Sequence, residues 1–501
     1  MQFRPDRDDY RVIGLYGGKV LVGVGLAMLV PAVVGFAWGE VDEAWAFCVA
    51  AALALIPGVA SQAGCRTRAQ LGADHGLVIV AGSWLVASFF GALPLRLSGH
   101  YASFVDAYFE AMSGFATIGL TLVQDLDHLA VSVNLWRFLM HLLGGQGVVL
   151  VVLTIFASAG ASIGTLYTAE GEKERILPTV LNTGRFILRV FALYAVLGIS
   201  ALTAALAHAG MELQRAAAHA VTLFITAFDT AGFAPTSANV PLYRSLPVEV
   251  VLWVLMIAGA TAFALHFALW QGRRRELGRN LEARTMGGTL LLVYVVQSAG
   301  LAGTGAFPGG GELARVGVFQ AISAHTTTGL TLVPEAILAA DWGSVAPGML
   351  VVAMALGGMA GSTAGGIKAI RVGLVLKGVR QDVRTALAPR DAVITESYHM
   401  GRLRPLGTPE VRGAATMLLV FLTVYLGGAM AMMLFGYDAQ HALFDSVAAT
   451  STGGLSTGLV RPDLELPLKL LVIAKMWLGR LEFIAVIALI GYAATTVRGR
   501  V

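Results

Sequence analysis

Four short segments place a threonine two residues before a glycine: Thr117-Ile118-Gly119, Thr230-Ala231-Gly232, Thr327-Thr328-Gly329 and Thr452-Gly453-Gly454. Each glycine is followed by Leu or Phe, and in three segments a Phe stands ten residues ahead of it, at Phe109, Phe319 and Phe444. The glycines recur at intervals of 113, 97 and 125 residues. A glycine at such a turn permits positive φ and carries no side chain to block close approach. Carbonyl oxygens beside it, with the threonine hydroxyl and with Ala116 at the first turn, can then replace the water shell of a dehydrated cation. The fourth turn offers both Gly453 and Gly454, and the register of Phe444 and Leu455 favours Gly454.

These turns must be held inside a membrane. The chain has 501 residues, 56% hydrophobic and 13% charged, with mean hydropathy +0.72. Soluble domains carry about 25% charged residues, so lipid is the expected solvent. Ten stretches meet the length for a transmembrane helix: 13–38, 44–61, 75–97, 134–158, 186–209, 247–270, 286–306, 346–372, 412–436 and 467–496. The last is long enough to need tilt or a projecting end. The first is too long for the core of a cleavable signal peptide.

Basic residues set the orientation. Arg4, Arg7 and Arg11, then Arg66 and Arg68, Lys173, Arg175 and Arg185, Arg273 to Arg284, Lys377 to Arg412, and Arg498 and Arg500 fall on one side. Both termini are therefore expected in the cytoplasm. The formal charge of +4 reflects topology, and no nucleic-acid motif accompanies it. Cys48 and Cys65 match no metal or disulfide spacing and read as structural.

Each turn follows a short apolar segment between two spans, giving four membrane–pore-loop–membrane units after two extra N-terminal spans. The expected fold is all-α and polytopic, with boundaries at 1–70, 71–168, 169–280, 281–385 and 386–501. The short helix before each turn directs its negative end toward the axis, which favours cations. Re-entrant helices also form midplane sites in secondary transporters, usually as a pair of discontinuous segments.

At these residues the chain resembles the Trk/Ktr/HKT superfamily of potassium transporters. The match spans nearly the whole sequence and includes Trp136-Arg137, Gly144-Gly145-Gln146-Gly147, Phe263 to His266, Gly479-Arg480 and the string Gly361-Ser362-Thr363-Ala364-Gly365-Gly366-Ile367-Lys368, with Arg371. The two extra spans resemble the TrkH-type branch. The resemblance implies potassium uptake across a bacterial cytoplasmic membrane, a homodimer, and a cytosolic TrkA-type regulatory ring that binds ATP/ADP or NAD. It implies no cofactor on this chain. It also implies an intramembrane gate loop from about Gly357 to Gly366, including Gly358, with Lys368 and Arg480 beside it. That run is too rich in glycine for a stable helix. Each turn has one obligatory glycine, so potassium-over-sodium selectivity is expected to be modest.

Ionisable groups in spans invite functional readings. Arg480 is expected beneath the filter, with pairing to Glu482 as the structural alternative. Lys368 and Arg371 either contact loop carbonyls or reach the cytoplasmic face. Glu110, Asp445 and the equivalent Gln320 either attract cations or accept backbone hydrogen bonds behind the filter; the second is favoured. Asp229 and His325 flank their turns and could tune them. His141 and His266 read as satisfied interior groups. Gly361 to Lys368 nearly matches a phosphate-binding loop, but Ile367 interrupts it and no strand precedes it.

Two transport mechanisms remain open. One is an uncoupled gated pore. The other is a proton- or sodium-coupled symporter, which needs a titrating intramembrane carboxylate from Glu110, Asp229 or Asp445, all expected on the outer side. No constellation for a membrane-embedded enzyme is present. The loops 273–284 and 377–412 could dock a partner or serve topology alone. Gly114 is taken as a neutral comparison for substitutions of the four glycines.

Overall fold

A computed structural model describes residues 6–69, 72–147, 180–307, 309–389, 392 and 394–497. The inner part of the span expected over 134–158, the boundary expected at 168, and Arg4, Lys173, Arg175, Arg390, Arg498 and Arg500 lie outside the described residues.

Apolar helices with small-residue seams open the chain. Helices α1 (Arg7–Trp38) and α2 (Val41–Gly64) form a hairpin closed at Gly39, whose φ of 82° ends α1 in the left-handed conformation. A Cβ on Gly18 would lie 2.7 Å from the Gly58 carbonyl, so glycine is what lets the two backbones meet. Glu40 then caps the next bundle, accepting from Val131 N at 2.6 Å and from Ser132 N at 2.9 Å.

The first unit comprises α3 (Ala73–Leu97), the short α4 (Phe104–Phe115) and α5 (Val131–Leu142), which runs into a π-helical turn at Leu143–Gly147. The second has α6 (Val180–His208), the short α7 (Leu213–Phe228), α8 (Leu246–Gly259) and α9 (Phe263–Trp270). A one-turn helix, α10 (Arg275–Arg279), leads to the third unit. That unit has α11 (Leu281–Thr304), the short α12 (Gly310–His325), a surface turn α13 (Glu335–Ala340), α14 (Val345–Leu356) and α15 (Ala369–Leu387). The fourth contains α16 (Thr408–Leu434), the short α17 (Ala439–Ser451), α18 (Leu466–Arg480) and α19 (Ile484–Val497). Between α15 and α16 stands the antiparallel hairpin β1 (Ser397–Met400) and β2 (Arg402–Pro405), in register from Ser397–Pro405 to Met400–Arg402.

The chain is thus an all-α polytopic membrane protein apart from that hairpin. Among the described residues six single helices are long and apolar enough to cross a bilayer: α1, α2, α3, α6, α11 and α16. Among the described residues the second span is interrupted in the second, third and fourth units; the break in the third was expected, and those in the second and fourth revise the expectation of continuous spans. Helices α8 and α9 meet at 101° across Ala260–Ala262. The last span, expected to tilt or to project at one end, instead breaks at Leu481–Phe483, where Glu482 and Phe483 take φ of 49° and 65°. Glycine at the break has a steric cause. A Cβ on Gly144, Gly259 or Gly479 would overlap the carbonyl of Phe115, Phe228 or Thr450, each two residues before its threonine turn. The start of α1 and the end of α19 lie side by side, with Tyr10 Oη and Thr496 Oγ1 2.8 Å apart.

Candidate ion-conduction site

Helices α4, α7, α12 and α17 are 12, 16, 16 and 13 residues long, too short to span about 30 Å of hydrocarbon. Each therefore enters and turns back. Thr117, Thr230, Thr327 and Thr452 all take positive φ, between 47° and 59°, as do Gly119, Gly232, Gly329 and Gly454, between 64° and 92°. Left-handed threonine is costly for a β-branched residue, and four equivalent cases mark an imposed geometry. In the fourth turn it is Gly454, not Gly453, that shares the positive φ of the other three glycines.

The four glycines meet about one axis. A Cβ on Gly119 would lie 2.5 Å from Gly232 Cα, and one on Gly232 would lie 2.7 Å from the Thr328 carbonyl. A Cβ on Gly329 would lie 2.6 Å from Gly454 Cα, and one on Gly454 would overlap the Ile118 carbonyl. The ring closes from the first unit to the fourth and back. Ala231 and Gly453 hold their places in it through carbonyls beside Gly119 and Gly329. Ala116 caps α4 behind the first turn. Among the described residues Thr117 Oγ1 is buried with no hydrogen-bond partner, an acceptor suited to a cation.

Behind the ring, polar side chains tie each short helix to its returning strand of chain. Glu110 accepts from Thr121 Oγ1 at 2.9 Å and Leu122 N at 3.2 Å. Gln320 accepts from Leu332 N at 3.2 Å, and Asp445 accepts from Ser456 Oγ at 2.6 Å and Thr457 N at 3.2 Å. These three act as braces, and in the second unit Leu223 takes the position. Arg137, fully buried, donates to Glu110 at 2.8 Å and stacks 4.0 Å from the Phe233 ring. His141 lies 2.9 Å from the Gly114 carbonyl and accepts from Phe233 N at 3.3 Å; His266 lies 3.0 Å from the Ala258 carbonyl. Both are satisfied interior groups. His325 joins Thr289 Oγ1 at 2.8 Å.

Below the threonines runs the non-helical stretch between α14 and α15. Thr363 Oγ1 lies 3.0 Å from Thr230 Oγ1, and Gly365 N donates to Thr327 Oγ1 at 2.9 Å. A Cβ on Gly365 would overlap Thr452 Oγ1, so the stretch presses against three of the four turns. Gly357, Gly361 and Gly366 take positive φ of 55°, 69° and 69°. Gly358 accepts from Ala369 N at 2.9 Å, Gly361 accepts from Phe263 N at 3.0 Å, and Ser362 Oγ donates to the Met359 carbonyl at 2.6 Å. Thr363 N donates to the Gly259 carbonyl at 3.1 Å. The stretch therefore lies across the break in the second unit's span.

Arg480 donates to the Thr363 carbonyl at 3.1 Å and to the Gly144 carbonyl at 3.0 Å. Glu482, considered above as its partner, instead pairs with Arg371 and stands 3.9 Å from Lys368. Lys368 Nζ also donates to the Ala364 carbonyl, so its charge stays with the stretch it follows. Asp229 is not on the outer side. Its carboxylate lies against Gly145 and accepts from Gln146 Nε2 at 2.7 Å, next to the Gly144 carbonyl that Arg480 holds.

A sequence model of the TrkH family, described as a cation transport protein, matches residues 45–283 and 306–491. The chain belongs to the TrkH family. A TrkH potassium uptake protein of the Trk system from Halomonas elongata is 29% identical over 96% of this chain and 97% of its own length. An uncharacterised cation transporter of Methanocaldococcus jannaschii is 28% identical over 96% and 95%. The crystal structure of the potassium transporter TrkH from Vibrio parahaemolyticus shares the fold, with TM-score 0.79 at 24% identity, covering 95% of this chain and 98% of that one.

In this TrkH-family chain, sequence reasoning missed several residues that set the site. Glu282, on α11, accepts from Ala360 N at 2.8 Å and fixes the stretch from the third unit's own first span. Lys469 donates to Asp106 at 2.5 Å, joining the fourth unit to the short helix of the first. Lys469 is a charged residue inside an apolar run, which was the available signal, whereas Glu282 stands among the charged residues from Arg273 to Arg284 and carried none. Gly114, taken as a neutral comparison, is packed: a Cβ there would lie 2.9 Å from Met140 Cβ. Gly82, with nothing within 4 Å, is the suitable one.

Proposed function

We propose that this chain carries potassium across the membrane through the ring formed by the four Thr-x-Gly turns. The observation that carries the reading is the mutual approach of Gly119, Gly232, Gly329 and Gly454, which leaves no room for a side chain at any of them. Carbonyls and threonine hydroxyls gathered this closely suit a dehydrated monovalent cation, the cargo rather than a resident metal. The relatives named as potassium uptake proteins support potassium as that cargo and transport rather than catalysis as the activity.

The stretch 357–368 acts as the gate. It is flush beneath the threonines, and Arg480 adds a positive charge at the same level. Opening requires the stretch to leave, and the signal comes from a cytosolic nucleotide-binding partner of the TrkA type docked on the basic loops 273–284 and 377–412. The protein works as a homodimer in a bacterial inner membrane with both termini in the cytoplasm. The contact between the start of α1 and the end of α19, with the basic residues of the sequence on that side, supports that orientation.

Potassium and sodium flux through purified protein in liposomes tests the pore. Alanine at each of the four glycines in turn should change ion preference, and alanine at Gly82 should not. Preference unchanged by all four ring substitutions rules the reading out. A coupled symporter is the second reading, favoured by the intramembrane position of Asp229 beside the gate. A reversal potential that moves with a proton or sodium gradient alone would select it.

A further inference from the structure

Directly under the ring on the side of the first two units, two buried acceptors stand together. Asp229 is fully buried, and its Oδ1 accepts from Gln146 Nε2 at 2.7 Å. Its Oδ2 has no hydrogen-bond partner among the described residues, and the same holds for Gln146 Oε1. Gln146 is 2% exposed. An unpaired carboxylate oxygen and an unpaired amide oxygen at membrane depth would each cost folding free energy unless something uses them.

The backbone is shaped to admit the carboxylate. Gly145, in the π-helical turn of the first unit, leaves space that a Cβ would fill at 2.9 Å from Asp229 Cγ. The neighbouring Gly144 carbonyl accepts from Arg480, whose other amino group holds the Thr363 carbonyl. Asp229, Arg480 and the gate stretch therefore share one small volume at the inner end of the ring. Thr230, the next residue after Asp229, contacts Thr363 from the same side.

We propose that Asp229 and Gln146 form a cation site at the inner end of the ring, separate from the carbonyl ring itself. With the gate in place, the guanidinium of Arg480 occupies the neighbourhood and balances the carboxylate. When stretch and guanidinium withdraw, Asp229 Oδ2 and Gln146 Oε1 receive a monovalent cation, with water completing its shell. The site gives a potassium ion oxygen partners and a countercharge as it enters or leaves the ring, lowering the cost of rehydration midway across the membrane. The inference rests on the pore reading above.

The test is potassium efflux from proteoliposomes holding the full-length protein, with potassium varied on the gate side. Asp229→Asn keeps the shape and removes the charge. It should raise half-saturating potassium roughly fivefold, the scale of one charge in a medium of intermediate dielectric, while potassium-to-sodium preference stays unchanged. Gln146→Glu adds a charge and should lower half-saturating potassium. Unchanged half-saturation in Asp229→Asn overturns the inference, as does loss of ion preference in that variant, which would make Asp229 a brace of the ring. Should Asp229→Asn not fold, Gln146→Glu decides alone, and no fall in half-saturation overturns the proposal. Failure of the pore reading is recognised separately, by ring-glycine variants that leave ion preference intact.

Discussion

Arg480 donates to the carbonyl of Thr363 at 3.1 Å, and the hydroxyl of Thr363 lies 3.0 Å from that of Thr230. One side chain of the fourth unit is thereby joined through the third unit to the turn of the second. The contact has an electrostatic and a mechanical side. In the proposed gate its charge would repel cations at the inner end of the ring, and its hydrogen bonds would hold the stretch against the threonines.

The two sides separate by substitution. Arg480→Gln keeps a donor and removes the charge, so potassium flux without any partner should rise by roughly tenfold or more, as expected for deleting one charge in a medium of reduced dielectric. Arg480→Lys keeps the charge but loses the two-pronged grip on Thr363 and Gly144, so its flux should fall between the two. Rubidium uptake into proteoliposomes measures both. Equal flux in all three proteins would remove Arg480 from gating.

Gly365 offers a steric test of the proposed gate. Alanine there would overlap Thr452 Oγ1 and lie 2.9 Å from Thr452 Cγ2, so the stretch cannot seat as it does now. Resting flux should increase several-fold, because packed backbone yields to overpacking only by moving. Gly348→Ala, upstream in α14 with open space around it, should leave resting flux unchanged.

Much of this arrangement was readable in the sequence because it depends on repetition. Thr-x-Gly recurring between apolar spans located the ring, and glycine density located the stretch below it. The breaks in the second and fourth units were not read, because Gly259-Ala260 and Gly479-Arg480 are short interruptions in runs long enough to cross. Their cause is a distant carbonyl, Phe228 or Thr450, which periodicity along a single helix does not reveal. Asp229 was placed on the wrong side for a related reason. A re-entrant helix reverses depth within a few residues, so the end of α7 lies deep while Glu110, nine residues before its glycine, braces the outer return. Pairings such as Arg371 with Glu482 depend on the assembled bundle and left no mark in local spacing.

Two buried charges make opposite predictions about stability. Glu110 and Arg137 form a fully buried pair at 2.8 Å that also holds Thr121 and Leu122 behind the first turn. Glu110→Ala strands the guanidinium and should cost about 3–5 kcal/mol, seen as a clear fall in thermal stability in detergent and a loss of ion preference as the first turn loosens. Lys475 is also buried, but among the described residues its ammonium meets only neutral groups, donating to the Val424 carbonyl at 3.1 Å and to Ser446 Oγ. Ser446 keeps its own acceptor, the Tyr425 carbonyl at 2.5 Å, without the lysine. Lys475→Met replaces the charge with an apolar chain of similar length and should leave stability equal or raised, because the desolvation cost of an ammonium without a carboxylate disappears. Thermal unfolding of the two variants side by side checks both. A loss with Lys475→Met as large as that with Glu110→Ala would show that the lone ammonium stabilises the fourth short helix rather than straining it.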